Sequence, residues 1–448
     1  MGLVTIINAA DFGSYEKTMR SAAADEETVN VSVSRIIADV RGEGDAALRR
    51  YAARFEKSVP DVFEVPLAAA QEAWETLQAC EPRLAAALSL AADHIRRFAE
   101  LQKAQFAGFE AEMAPGLFTG QKVIPIEKAA VYVPAGRFPL VSSALMGLIP
   151  ASVAGVQIKA LASPPGENGL PDSRILAAAY LSGADRFFAI GGAQAIAALA
   201  LGTETIPRMD MIAGPGNKYV TAAKRMLFGE VGIDFAAGPT DVLIISDART
   251  PESGEAADLI AEAAELIAAD MLAQAEHDCD ARARVLVPDR FMAERIEQAL
   301  ERRLADLATK ETAQASLEAG GLIIVYASKE EAVDIANRIA PEHLELHVTE
   351  PSEWTDSLRN YGSLFIGSSA AEVLGDYSAG INHTLPTSTT ARFTGGLSVR
   401  HFLKTVTTLR CEPGDAYEQA IAAAETIALA EGLAGHAESA ACRKKAKA

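Results

Sequence analysis

The sequence predicts an α/β protein with mainly parallel sheets, on three observations. From about residue 130 onward, short β-rich runs alternate with Ala-rich helical ones, the pattern of strand–helix–strand units. The first 120 or so residues carry helical periodicity instead. Finally, 448 residues with 49% apolar and 23% charged side chains suffice for about three domains or one large two-lobed body.

The elements follow in chain order. In Asp45-AALRRYAARF, Leu48, Tyr51, Ala52 and Phe55 recur at i, i+3, i+4 and i+7, one face of a helix that Asp45 is placed to cap. Strands are predicted at AVYV (130–133), VQIKAL (156–161), RFFAI (186–190), MDMI (209–212), VLIIS (242–246), RVLVP (284–288), LIIVY (322–326) and SLFIG (363–367). The run 138–158 carries no charge and is long enough to span a bilayer. Its Pro139, Pro150, Gly147, Gly155 and three serines predict a buried loop, helix and strand instead. SPPGENGLPD (163–172) reads as a surface turn, and 390–448 as an appendage ending in a cationic tail, Arg443, Lys444, Lys445 and Lys447. The tripeptide AGP occurs at 213–215 and 237–239, but no internal repeat is evident.

Charge narrows the function classes. With 60 acidic and 41 basic residues the net charge is −19, which argues against a partner with a phosphate backbone or an anionic membrane. Cys80, Cys279, Cys411 and Cys442 are widely spaced and form no CxxC pair, so a reducing, cytoplasmic home is expected. The start, MGLVTIINAADFG, lacks a basic signal-peptide region, and Ile6 does not fit the myristoylation pattern. Only one of seven histidines, His94, precedes residue 270, so imidazole chemistry is expected in the C-terminal part.

Three segments bear on that chemistry. In DMLAQAEHD, Gln274 and His277 stand at i and i+3 of a predicted helix and can converge on one point; the segment alone reads first as a polar helix end, and second as half of a zinc site. GDYSAGINHTLPT brings Asp376 and His383 into a Gly-punctuated loop, and EGLAGH holds Glu431 and His436. In APEHLEL, Glu342 and His343 follow Pro341 at a predicted helix start, where imidazole and carboxylate suit proton transfer near neutral pH; a capped, solvated helix start is the plainer reading. His94, His347 and His401 are read as surface or packing residues. VPAGR (133–137), IGGAQA (190–195) and AGPGNKY (213–219) are Gly-rich turns after apolar runs, open to a pyrophosphate or simply tight βα turns. Neither GxGxxG after a strand nor GxxxxGK[ST] occurs.

Taken together and in order, VYVPAGR, GGAQAIAALALGTE, AGPGNKYV, GIDFAAGPTDVL, QAEHD, APEHLEL, GDYSAGINHTLPT and EGLAGH resemble the histidinol dehydrogenase family from about residue 30 to 440. The resemblance implies a zinc-dependent, NAD-linked enzyme that oxidises a primary alcohol through an aldehyde to a carboxylate. It implies two incomplete Rossmann-like domains with mainly parallel sheets, small helical extensions at both ends, and a domain-swapped homodimer with shared active sites. The expected division is an N-terminal extension at 1–25, a first domain of 26–125 with 241–388, a second of 126–240, and a C-terminal extension at 389–448 reaching the partner subunit.

Carried over residue by residue, Gln274, His277, Asp376 and His436 are the expected zinc ligands, the last from the partner subunit. Glu342 and His343 match the catalytic pair, and Tyr132, Gln194 and Asn217 the NAD contacts. Substrate binding is expected at Thr240, His343, His383 and Glu431 together with the four zinc ligands. L-Histidinol is the expected substrate. Some phrases, RNYGSLFIG among them, resemble paralogues acting on 2,3-dihydroxypropane-1-sulfonate, and a non-catalytic zinc-stabilised dimer is the remaining alternative. Three departures stand out: Thr240-Asp241 replaces the family's usual Ser-Glu, Ala135 replaces a common Gly, and the segment 246–271 is about three helical turns longer than usual.

Overall fold

The computed structural model describes residues 2–19, 26–135, 139–249 and 257–445. In chain order its strands are β1 Thr5–Asn8, β2 Glu64–Val65, β3 Phe109–Ala114, β4 Leu117–Pro125, β5 Lys128–Tyr132, β6 Ile158–Ser163, β7 Arg186–Ala189 and β8 Met211–Ala213. They continue with β9 Gly232–Ile233, β10 Asp241–Ser246, β11 Arg282–Val287, β12 Leu322–Val325, β13 His343–His347, β14 Ser363–Ile366 and β15 Leu403–Cys411. Two six-stranded sheets form the two lobes. The first is wholly parallel in the order β1-β12-β11-β10-β13-β14. The second runs β2-β7-β6-β5-β8-β9 and is parallel except for the edge strand β2. A smaller antiparallel sheet, β15-β4-β3, completes the set.

Parallel strands covered on both faces read as unbroken apolar runs, which is why all eight predicted strands appear with small shifts at their ends. All six residues of β10, for example, are buried. On one face of the first sheet lie the helices Ala257–Ala275, Arg290–Asp306 and Lys310–Gly320; on the other lie Phe12–Met19 and Lys329–Ile339. The uncharged run contributes the buried helix Val141–Ala154, with Pro150 inside it, followed by β6. Among the described residues no helix is long and apolar enough to cross a membrane.

The lobes divide differently from the expected boundaries. The helices between residues 26 and 103 do not pack on the sheet of 241–388. Val29, Val33, Ile36, Val40, Leu48 and Tyr51 share one core with the helices Gly192–Leu201 and Lys218–Leu227 on the second sheet. Leu77, Leu88, Ala92 and Ile95 share another with Val141–Ala154 and Ser173–Leu181 on its opposite face. Their apolar stripes fit whichever sheet face is open, and sequence order does not say which. The N-terminal segment, expected as a helical extension, places β1 at the edge of the first sheet beside β12. Leu397, Val399 and Phe402, assigned to the C-terminal extension, are buried against Ala99, Ala129 and Ala151, so the separate appendage begins at β15.

The helix Asp45–Phe55 forms as predicted, but Gly44 occupies the N-cap and Phe55 is exposed. With φ 55 at Gly44 and Glu204 against its Cα, a side chain there would collide, and Glu204 accepts the Asp45 N–H at 2.8 Å.

Candidate active site

The site is built where β10 and β13 begin, at the N-terminal edge of the first sheet. Pairing of β10 with β13 sets Val242 opposite His343 and brings the preceding residues into contact. Glu342 N–H donates to Asp241 Oδ1 at 3.1 Å, and Asp241 N–H donates back to Glu342 Oε2 at 3.2 Å. The Thr240 hydroxyl also donates to Glu342 Oε2, and Gln274 Nε2 donates to Thr240 Oγ1 at 2.9 Å.

Glu342 and His343 were expected at a helix start, and they begin a strand instead. The helix Lys329–Ile339 ends at Ala340, held left-handed at φ 49, and Pro341 has no N–H to extend a helical ladder. The following residues, His-Leu-Glu-Leu-His, alternate with period two, the strand signal that marks the correct reading. Leu344 and Leu346 enter the apolar core on one face. His343, Glu345 and His347 form a polar row on the other, and all are buried.

Three carboxylates surround His343. Its Nδ1 stands 3.5 Å from Glu372 Oε1 and 3.9 Å from Glu342 Oε2, and its Nε2 stands 3.7 Å from Asp376 Oδ1. Neither ring nitrogen reaches hydrogen-bond range, so both are available to a bound molecule. Burial disfavours the imidazolium, but Glu372, Glu342 and Asp376 together outweigh it and hold His343 well above its ordinary value. Burial pushes Glu342 up to about 7, against the opposing pull of His343 and the Thr240 hydroxyl. Burial likewise drives Glu372 well above the carboxylate range. For Asp376 burial works in the same direction, yet the neighbouring histidines His343, His383 and His277 bring it below its ordinary value.

Of the expected metal ligands, the chain brings together His277 and Asp376, and adds Glu372: one ligand atom from each lies within 4.8 Å of the others. Gln274 joins the site through Thr240, with its buried Oε1 lacking any protein partner. An unpartnered amide oxygen beside an imidazole and two carboxylates suits a divalent cation with N and O ligands, so the residues fit zinc. The local structure differs from expectation at two points. The helix carrying Gln274 ends at Ala275, so His277 lies just beyond it and not on the same helical face. Asp376 lies in the short helix Glu372–Tyr377, not in a loop. Glu372 went unread in the sequence, although its i, i+4 spacing with Asp376 is the signal that pairs them on one helix face.

The loop after that helix ties the site to the second lobe. His94 Nδ1 pairs with Ser378 O at 2.7 Å, and Asn382 Nδ2 donates to Met146 O at 2.7 Å. Gly380, at φ 96, packs directly on the His94 backbone, where a side chain would not fit. His94 is therefore a clamp rather than an incidental surface residue. His383 lies in the same loop; its Nε2 is buried without a partner, and burial lowers its basicity. His347, expected at the surface or in packing, belongs to the buried polar row of β13. His401 fits the plain reading, its Nδ1 accepting the Ser398 N–H at 3.2 Å.

Glu431 and His436 do not join this constellation within the chain. Both are exposed on the hairpin of helices Asp415–Ala430 and Ala434–Lys445, which packs chiefly on itself. Ile427, Leu429 and Leu433 are exposed on the same hairpin.

The expected NAD contacts collect at the C-terminal edge of the second sheet. Its strand order reverses direction between β5 and β8, the switch point where doubly wound sheets open a ligand crevice. Tyr132 ends β5, and its hydroxyl accepts the Gly192 N–H at 3.1 Å; burial pushes that hydroxyl up to about 12, so it stays neutral. Asn217, after β8, caps the helix Lys218–Leu227 by accepting from the Tyr219 and Val220 N–H groups. Gln194 is buried, with Nε2 donating to Glu56 at 3.0 Å. Part of VPAGR, residues 136 and 137, and part of the lengthened segment, 250–256, lie outside the described residues.

With this geometry in hand, comparison with known proteins is informative. The family model described as histidinol dehydrogenase matches residues 19–444. A histidinol dehydrogenase of Methylococcus capsulatus is 44% identical over 438 residues, covering 96% of this chain and 95% of its own length. One from Thermus thermophilus is 45% identical over 414 residues, covering 92% and 94%. A crystal structure of histidinol dehydrogenase from Elizabethkingia anophelis superposes with a TM-score of 0.85 at 31% identity, covering 100% of this chain and 99% of that one.

Proposed function

The chain belongs to the histidinol dehydrogenase family, a family of NAD-dependent oxidoreductases, and from that premise we propose that it oxidises L-histidinol through a bound aldehyde to L-histidine. The observation that carries this reading is His343: buried, set among Glu342, Glu372 and Asp376, with both ring nitrogens free of protein partners.

His343 takes the proton of the substrate hydroxyl as hydride departs from the same carbon to NAD. The aldehyde stays in the site, and Glu342 takes a proton from water as that water adds to the carbonyl. A second hydride leaves the hydrate, again with His343 as base, so one base and one carboxylate serve both oxidations. Burial of His343 and Glu342 keeps bulk water away from the bound aldehyde. Gln274, His277 and Asp376 would hold zinc, with Glu372 beside them and His436 of the partner subunit as the fourth expected ligand. Bound there, zinc supplies a charged template that orients the polar groups of the substrate. Thr240 and His383 line the same space, and Glu431 of the partner subunit is assigned to the substrate.

Tyr132, Gln194 and Asn217 are assigned to NAD at the switch point of the second sheet. The exposed hairpin carrying Glu431 and His436 supports a homodimer in which each subunit completes the other's site. Four exposed, unpaired cysteines agree with a reducing, cytoplasmic setting.

Steady-state NADH formation with L-histidinol and, separately, 2,3-dihydroxypropane-1-sulfonate tests the substrate. Turnover of histidinol is expected; none at millimolar concentration would remove it. His343→Gln should keep fold and zinc content while abolishing NADH formation, and unaltered activity would refute both the assigned base and, by contrast with the alternative of a non-catalytic dimer, its place in catalysis.

A further inference from the structure

We propose that the chain holds a second divalent-cation site, formed by Asp270, Glu345 and His347, distinct from the one at His277, Glu372 and Asp376. One ligand atom from each of these three side chains lies within 4.8 Å of the others. His347 Nε2 stands 3.3 Å from Glu345 Oε2 and 3.8 Å from Asp270 Oδ2. Ligand atoms around a tetrahedral zinc ion, with bonds of about 2.1 Å, are separated by about 3.4 Å. The three atoms thus stand close to the separations a shared cation imposes.

The second observation is that the cluster is incomplete without a ligand. Glu345 is 0% exposed, yet its Oε2 has no hydrogen-bond partner, and the buried Nε2 of His347 has none either. Glu345 spends its other oxygen, Oε1, on the Glu372 N–H at 2.7 Å. Two carboxylates side by side in a buried place are unfavourable unless a cation or a shared proton intervenes. The same strain is visible at Asp270, pushed up to about 7 first by burial and then by Glu345. Asp270 remains partly open to solvent, which leaves a route of entry.

The placement suggests what the ion does. Asp270 and Gln274 are four residues apart on the helix Ala257–Ala275, hence on one face, one turn apart. An ion bridging Asp270 to the polar face of β13 pins that helix against the strand carrying His343, and so positions Gln274 over Thr240. Glu345 extends the brace to the helix of Glu372 and Asp376 through its bond to the Glu372 N–H.

Metal content of the full-length protein, loaded with zinc and freed of excess, tests this. Two equivalents per chain are expected in the parent, one in His347→Gln and in Asp270→Asn, and one in His277→Gln. The first two variants should also lose several degrees of thermal stability in zinc but none in chelator. Crystals of the cobalt-loaded protein should show an anomalous peak among Asp270, Glu345 and His347. A single equivalent that disappears in His277→Gln and persists in His347→Gln, or an absent peak, overturns the proposal and leaves the carboxylate pair sharing a proton. The site rests on no assumption about substrate: failure to oxidise histidinol would strike the proposed function and leave this metal count unaltered.

Discussion

The hydroxyl of Thr240 donates to the carboxylate of Glu342 across 102 residues of sequence, and the same oxygen accepts from Gln274. Thr240 therefore joins an expected zinc ligand to an expected catalytic carboxylate. It also explains how threonine stands where the family usually has serine: the hydroxyl is retained, and that group makes both bonds. Thr240→Ser should keep NADH formation within about twofold. Thr240→Val leaves two buried polar groups unpaired, for a stability loss of about 1–3 kcal/mol. The valine should also move the acidic limb of the rate profile to higher pH, because the hydroxyl holds Glu342 down. A limb that stays in place would separate Thr240 from the chemistry.

The pH dependence of the parent follows from Glu342, pushed up to about 7 chiefly by burial. Below that value the group is a neutral acid and cannot take a proton from water; above it the carboxylate can. Oxidation of the aldehyde should accelerate as pH rises through about 7, and Glu342→Gln should remove the limb together with most of the second oxidation. The same shift has a stability sign. A carboxyl whose folded value lies above its unfolded 4.5 favours the native state fully at low pH, and that contribution is lost as pH rises toward and through about 7. Urea midpoints at pH 5 and pH 8 should differ less in Glu342→Gln than in the parent.

A buried ion pair secures the turn at the second sheet's switch point. Lys224 and Asp234, 3% and 0% exposed in their side chains, pair with each other, while Lys224 donates to Gly214 O at 3.0 Å and Asp234 accepts the Gly214 N–H at 2.8 Å. Lys224→Met strands the Asp234 charge and should cost about 3–5 kcal/mol in denaturant unfolding. The double variant with Asp234→Leu should recover part of that loss; a double variant no better than the single would show that the bonds to Gly214 dominate.

Subunit mixing examines the shared site. In a hybrid of His436→Ala and Gln274→Ala subunits, one of two sites regains both side chains and the other loses both. Random exchange makes half the dimers hybrid, so about a quarter of parental activity should return. No recovery despite exchange seen by native mass spectrometry would count against a site completed across the interface.

The sequence by itself determined the α/β class, the eight predicted strands and the family, because each rests on short-range signals: apolar runs, helical spacing and ordered motifs. It also supplied Glu342, His343, His277 and Asp376, whose side chains converge. What it could not supply was partnership at a distance. Nothing local tells the stripe of Val33, Ile36 and Val40 which sheet to cover, and the structure gives it to the second. The alternation in His343–His347 was present to be read, but only flanking strands β10 and β14 make it a central strand with a buried polar face. Glu372 and the Asp270–Glu345–His347 cluster emerged only in three dimensions, since burial and proximity, which decide whether a carboxylate is solvated or waiting for a cation, are properties of packing and not of sequence spacing.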